Sequence, residues 1–179
     1  RQWSAPPTPE AEQRGFRGWH ERGFLPHRDE PGLTQFVTFR LGDAYPVALR
    51  AEWAALLEIE HDRERRRRLE AYLDRGHGEC LLRRGDLANL VEQTLFFAQG
   101  RRYDLRAWVV MPNHVHVLFE TLTVSMSEIV RAWKSCIAHK INRLLNRRGA
   151  LWQGDYWDTY IRDAAHELKA RRYIEANPV

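Results

Sequence analysis

The sequence has 179 residues, 44% of them hydrophobic, with 28 Lys plus Arg against 24 acidic side chains. That is one domain's length with enough apolar material for a packed core, and the basic excess favours a polyanionic partner. Two cysteines outside any C-x-x-C pair exclude a disulfide framework and a thiolate zinc site, and no apolar run is long enough to span a membrane.

Residues 1–31 lack a hydrophobic period and carry Pro6, Pro7, Pro9, Pro26 and Pro31, so they are expected to form an arm. Its aromatics (Phe16, Trp19, Phe24) and Leu25 would dock it on the body. Arg17, His20 and Arg22 interleave with Trp19, the pattern of a single-strand nucleic-acid contact. The same aromatics equally suit an arm that only covers the core. The polar opening stretch shows no signal-peptide pattern, and with the reduced cysteines it fits a cytoplasmic protein.

Thr34–Leu41, rich in β-branched and aromatic residues, predicts the first strand. Pro46–Arg75 predicts a helical insertion after an Asp43 cap, ending at Gly76, with the charge run H-D-R-E-R-R-R-R on a solvated face. Asp86 is expected to cap a helix over Leu87–Gln99. Tyr103–Met111 and His114–Glu120 predict a strand pair about a Pro112-Asn113 turn. Met126–Asn146 predicts an amphipathic helix capped by Ser125 or Ser127. No acid follows Glu128 there, so Arg131, Lys134, Lys140 and Arg143 give it a strongly positive surface suited to phosphates. Leu151–Ile161 predicts a last strand, and Asp163 caps a final helix over Ala164–Ala176. The order implies an α+β domain over 32–179. Its antiparallel sheet is ferredoxin-like or RRM-like, with helices packed mainly on one face.

Two stretches carry chemistry. His114 and His116 are two apart on a strand and therefore point the same way. Such a pair is half a metal site, or two polar residues on a wet sheet face. Tyr173 and Asn177 are one turn apart on the final helix, with His166 and Lys169 further back along it. A phenol beside an amide and basic groups is a candidate nucleophile; it is also an ordinary amphipathic Tyr. Tyr160, in the last strand, is the second choice.

Together, H-V-H followed by Y-I-E-A-N resembles the single-tyrosine HUH transposases. The segments A-W-V-V-M-P-N-H-V-H-V-L-F-E, L-W-Q-G-D-Y-W-D-T-Y-I-R-D and R-R-Y-I-E-A-N-P-V resemble the REP-associated tyrosine transposases within them. The resemblance covers roughly Gly18–Val179. It implies His114, His116 and Asn177 as ligands of a divalent metal, Mn²⁺ or Mg²⁺, and Tyr173 as nucleophile. It implies a metal-dependent endonuclease and strand transferase, acting through a 5′-phosphotyrosine on single-stranded DNA beside palindromic hairpins. His166 or Lys169 would help the phenol lose its proton. The arm would help read a guide sequence, and the protein would act as monomer or homodimer. Relatives usually continue beyond N-P-V, and the shorter ones lack the 46–75 insertion. The rival reading is a hairpin-binding protein of the same fold that performs no chemistry.

Overall fold

The computed structural model describes residues 6–22, 25–45 and 62–177. The first half of the expected insertion, 46–61, lies outside them, as does Phe24 of the arm. The arm begins with helix α1 (Pro9–Gln13), whose Thr8 cap accepts a hydrogen bond from the Ala11 N–H at 3.3 Å. A two-stranded ribbon follows, β1 (Gly18–Arg22) with β2 (Leu25–Asp29). The prolines argued against strands here, yet Pro26 pairs with Glu21 inside the ribbon. Each strand of a lone ribbon has an outer edge, where a residue without an N–H loses no ladder bond. Phe16 is 2% exposed and anchors the arm.

The body is a four-stranded sheet of β3 (Thr34–Arg40), β4 (Tyr103–Val110), β5 (His114–Thr121) and β6 (Trp157–Tyr160). The order is β4-β5-β3-β6 and every pairing is antiparallel. This is the ferredoxin-like arrangement, with the first and third strands of the body at the centre. Between the strands run α2 (Asp62–Asp74), α3 (Gly85–Phe96) and α4 (Met126–Leu144), and α5 (Ala164–Ala176) ends the described chain. No helix among the described residues is long and apolar enough to cross a membrane.

Alternation along the strands decides which face holds what. Val37, Phe39, Val115, Val117 and Phe119 point to one face and pack against Leu87, Val91 and Leu95 of α3 and Ile129, Trp133, Ile137 and Ile141 of α4. Each such fully buried side chain contributes about 1.5–3 kcal/mol. Helices were expected mainly on one face, and α3 and α4 pack on this one. The opposite face carries Phe36, Thr38, Arg40, His114, His116 and Leu118, because facing partners in the register share a face. It is covered too: α5 lays Ile174 and Ala170 against Val109, Met111, Leu118 and Ile161. Hence β5 is buried along nearly its whole length.

Two elements differ in their bounds from the sequence reading. The last strand is only Trp157–Tyr160; the apolar spacing of Leu151, Trp152 and Tyr156 puts all three in the core from a loop, with Trp152 Nε1 donating to the Lys134 carbonyl at 3.0 Å. Helix α3 starts at Gly85, so Asp86 lies inside its first turn and pairs with Arg84 at 2.7 Å instead of capping. Of the insertion helix, α2 alone is described, ending before Gly76, whose φ of +69° is the left-handed stop that glycine supplies.

Candidate active site

The imidazoles of His114 and His116 are both fully buried, and their Nε2 atoms face each other 3.0 Å apart. Each ring is held through its other nitrogen. Asn113 Oδ1 lies 2.7 Å from His114 Nδ1, and Thr38 Oγ1 lies 2.7 Å from His116 Nδ1. An amide oxygen accepts only, so His114 carries its proton on Nδ1 and turns a lone pair inward from Nε2. Asn113 is in turn fixed by its own donation to the His77 carbonyl at 3.0 Å. Burial drives the His114 pKa down to about 3, with the nearby Arg40 cation pushing the same way. Burial, and then His114, lowers that of His116 as well. Both rings are therefore neutral near pH 7, the form in which imidazole binds a metal.

Thr38 both donates and accepts, so His116 either donates from Nε2 to His114 or, with its proton on Nδ1, turns a second lone pair inward for a cation. Ligand bonds of about 2.1 Å at right angles place two nitrogens about 3.0 Å apart, so the pair fits adjacent positions on an octahedral ion. Asp74, at the end of α2, completes the group: Asp74 Oδ1 is 3.7 Å from His114 Nε2, and the three ligand atoms lie within 4.8 Å of one another. Burial raises the pKa of the Asp74 carboxyl. The donor set of two neutral nitrogens and one carboxylate suits a divalent ion and leaves it net positive.

Tyr173 comes to this group from α5. Its ring meets His116 edge-on at 5.3 Å and Phe36 at 6.0 Å, while Phe36 stacks on His116 at 5.5 Å. The phenol oxygen is buried with no hydrogen-bond partner among the described residues, as is Asn177 Nδ2. The Asn177 amide stands beside the phenol without reaching hydrogen-bond geometry. A buried polar atom left open in this way needs a reason, such as a catalytic role or an ion or water that meets it. Burial raises the Tyr173 pKa, and the Glu70 and Asp74 carboxylates on α2 raise it further. These acids were missed in sequence.

The two candidate proton-transfer helpers lie back along α5. His166 lies seven residues before Tyr173, about 10 Å along the axis. Its Nδ1 accepts from the Arg162 N–H at 3.4 Å. Lys169 is exposed. Tyr160 is also displaced, because it pairs with Gln35 and so points to the face opposite His116. Its ring packs edge-on against Trp19 at 5.5 Å, with Arg28 over it at 5.1 Å.

The basic residues divide. Arg17 and His20 of the arm, Arg131 and Lys134 of α4, and Trp152 and Tyr156 line one cleft of about 930 Å³. Lys134 Nζ donates within it to the Gln153 and Gly154 carbonyls at 2.6 and 2.8 Å. Trp19 lies beyond it against Tyr160, Lys140 and Arg143 are exposed further along α4, and Arg22 ends β1.

The family model for IS200-like transposases matches residues 82–177, from just before α3 through the Tyr173 helix. The chain belongs to the IS200-like transposase family. No curated protein matches it. In fold, this IS200-like transposase is similar to a REP-associated tyrosine transposase solved bound to a REP hairpin, with a TM-score of 0.50 and 18% identity over 89% of this chain and 71% of that one. A Deinococcus radiodurans R1 protein described as a transposase aligns at 17% identity over 88% of this chain and 96% of that one, with a TM-score of 0.38. The matched family segment holds both histidines, Tyr173 and Asn177, whereas Glu70 and Asp74 lie outside it.

Proposed function

We propose that this transposase cuts and rejoins single-stranded DNA beside a hairpin through a 5′-phosphotyrosine on Tyr173. His114, His116, Asp74 and Asn177 would hold a divalent ion, Mn²⁺ or Mg²⁺. The observation that carries the reading is the meeting of the Tyr173 ring with His116 at 5.3 Å, next to imidazole nitrogens turned inward.

When bound, the ion supplies Lewis-acid polarisation of the phosphodiester and offsets its charge. The chain supplies the rest. Asn113 and Thr38 orient the imidazoles. Phe36 and His116 fix the Tyr173 ring, and α5 aims its oxygen into the centre. Tyr173 Oη attacks phosphorus, an O–P bond forms, and the bond from phosphorus to the 3′-oxygen breaks. The phenol proton leaves on the side where Glu70 faces the ring. The departing 3′-oxygen takes up a proton, and the phosphotyrosine keeps the bond energy, so rejoining needs no further source. The cleft between the arm and α4 would hold the strand flanking the hairpin, its cations on phosphates and its aromatic rings on bases. The meeting of phenol and imidazole within one chain supports a centre assembled from a single copy.

The test is a denaturing gel of protein incubated with hairpin oligonucleotides bearing single-stranded flanks. A protein–DNA adduct with a free 3′-OH fragment is expected with Mn²⁺ and absent in EDTA. A free 5′-phosphate without adduct would indicate a hydrolase, and tight binding without cleavage would indicate a hairpin binder.

A further inference from the structure

The His77 carbonyl, in the turn between α2 and α3, accepts from Asn113 Nδ2 at 3.0 Å, and the other end of the same amide meets His114 Nδ1 at 2.7 Å. A backbone carbonyl only accepts, so the NH₂ end of the amide alone can face it. That choice turns Oδ1, itself an acceptor only, toward the imidazole. The His114 proton is thereby drawn to Nδ1 and the lone pair to Nε2, the atom that faces His116 and Asp74. With the carbonyl elsewhere, the amide could turn over and present its NH₂ to His114, and the tautomer would reverse. Asn113 is fully buried, which shuts bulk water out of this choice.

The turn is held from two sides. A Cβ on Gly78 would stand 2.6 Å from the Asp43 carbonyl oxygen, and the φ of +91° there is one that glycine adopts at no cost. Beside it, the Glu79 N–H donates to Asp43 Oδ2 at 2.7 Å. On the other side, the His77 ring rests on Tyr72 of α2 with 4.6 Å between centres. Asp43 follows two residues after Leu41, whose N–H donates to the Asn113 carbonyl at 2.8 Å. The chain leaving β3 therefore fixes both the backbone of Asn113 and the turn that orients its side chain. Asp74, the carboxylate of the clamp, precedes His77 by three residues, so two of the ligand groups depend on one short segment.

We propose that the 76–79 turn, anchored by Asp43, is a positioning element of the metal centre: its His77 carbonyl sets the Asn113 amide and, through it, the tautomer in which His114 offers Nε2 to the ion. The inference rests on the metal-dependent reading above for the ion, and on hydrogen-bond geometry alone for the tautomer. Asp43 and Gly78 act only through His114.

The experiment reads the imidazoles first without metal. Long-range proton–nitrogen NMR spectra of isotope-labelled protein in EDTA distinguish an imidazole protonated on Nδ1 from one protonated on Nε2, with His114→Gln assigning the signal. Mn²⁺ titration by electron paramagnetic resonance then gives the affinity. Wild-type His114 is expected to carry its proton on Nδ1. Gly78→Ala pushes the turn off Asp43, and Asp43→Ala removes the acceptor for the Glu79 N–H. Each is expected to bring in the Nε2-protonated form and to weaken Mn²⁺ binding roughly 10-fold, the scale for a group that orients a ligating histidine. Asp43→Asn keeps an oxygen for the Glu79 N–H and should restore both readings. A wild-type His114 protonated on Nε2 overturns the proposal. So do Gly78→Ala and Asp43→Ala proteins that unfold at lower urea yet keep the wild-type tautomer and affinity, as a merely structural turn would. Should Gly78→Ala fail to fold by circular dichroism, Asp43→Ala, which removes a single half-buried acceptor, carries the test alone. A tautomer shift in a protein that takes up no Mn²⁺ would sink the metal-dependent reading and leave the link from turn to imidazole in place.

Discussion

Asn113 is the residue on which the geometry of the metal clamp most directly depends. It is fully buried, its Oδ1 sits 2.7 Å from His114 Nδ1, and its Nδ2 donates 3.0 Å to the His77 carbonyl. In Asn113→Ala both partners lose their bond inside the protein. Each unsatisfied buried group costs about 1–3 kcal/mol, so a loss of about 2–6 kcal/mol in unfolding free energy is expected in EDTA. The second consequence is specific to the site. Without the Oδ1 acceptor the ring no longer has one preferred tautomer, and metal affinity should fall about 10–100-fold, as for other groups that orient a ligating histidine. Asn113→Asp separates the two effects: it keeps the acceptor for His114 and sets a carboxylate oxygen in place of the donor to His77. It should lose stability but hold Mn²⁺ within a few-fold of wild type. Urea unfolding in EDTA and Mn²⁺ titration by electron paramagnetic resonance read the two quantities. An Asn113→Ala protein that is destabilised yet binds Mn²⁺ as wild type does would refute the reasoning.

Other expectations follow from neighbouring features. Asp29 is fully buried, accepts from the Met126 N–H at 3.0 Å at the start of α4, and burial pushes its carboxyl up to about 6. A folded pKa above the unfolded value of about 3.9 means the native state holds the proton more tightly. This group's contribution is therefore full below pH 4 and is lost as pH rises to 6, by about 3 kcal/mol. Asp29→Asn should remove that slope in urea unfolding across pH 4–7, and an unchanged slope would place the proton elsewhere. Replacing Arg131 and Lys134 by Ala should weaken single-strand binding and flatten its dependence on salt, by about 0.7 log units for each phosphate no longer neutralised. A parallel downward shift with the same slope would show that neither touches phosphate. Tyr103→Phe removes a hydroxyl that donates to the Leu95 carbonyl at 2.7 Å and accepts from Trp133 Nε1 at 2.8 Å. It should cost about 1–3 kcal/mol in the same unfolding assay.

Much of the fold was legible because local signals agreed with one another. Ser125 caps α4 and Asp163 caps α5 as their positions suggested, and H-x-H on a strand delivered two side chains to one face. What pattern could not give was the far side of that face. Asp74 follows a run of arginines that reads as a solvated helix, and nothing in its spacing points to histidines forty residues later. Only the packing of α2 through Leu69, Tyr72 and Leu73 turns it inward. His166 shares the helical stripe of Tyr173 but lies two turns back along the axis, Lys169 one turn back is exposed, and the carboxylates that raise the pKa of the phenol come from another helix. Thr38 and Asn113, which orient the imidazoles, are ordinary residues in sequence; their register against His116 and their burial single them out. The ribbon in the arm was hidden by Pro26, a residue that excludes central strands and is tolerated at an edge.

The most direct test of the account is to find which side chain carries the DNA. Wild-type protein is incubated with a hairpin oligonucleotide and Mn²⁺, digested with nuclease and trypsin, and its peptides are weighed and fragmented. The account predicts a nucleotide 5′-phosphate on Tyr173, and no adduct in Tyr173→Phe. A nucleotide on Tyr160, or an adduct that persists in Tyr173→Phe, would contradict it.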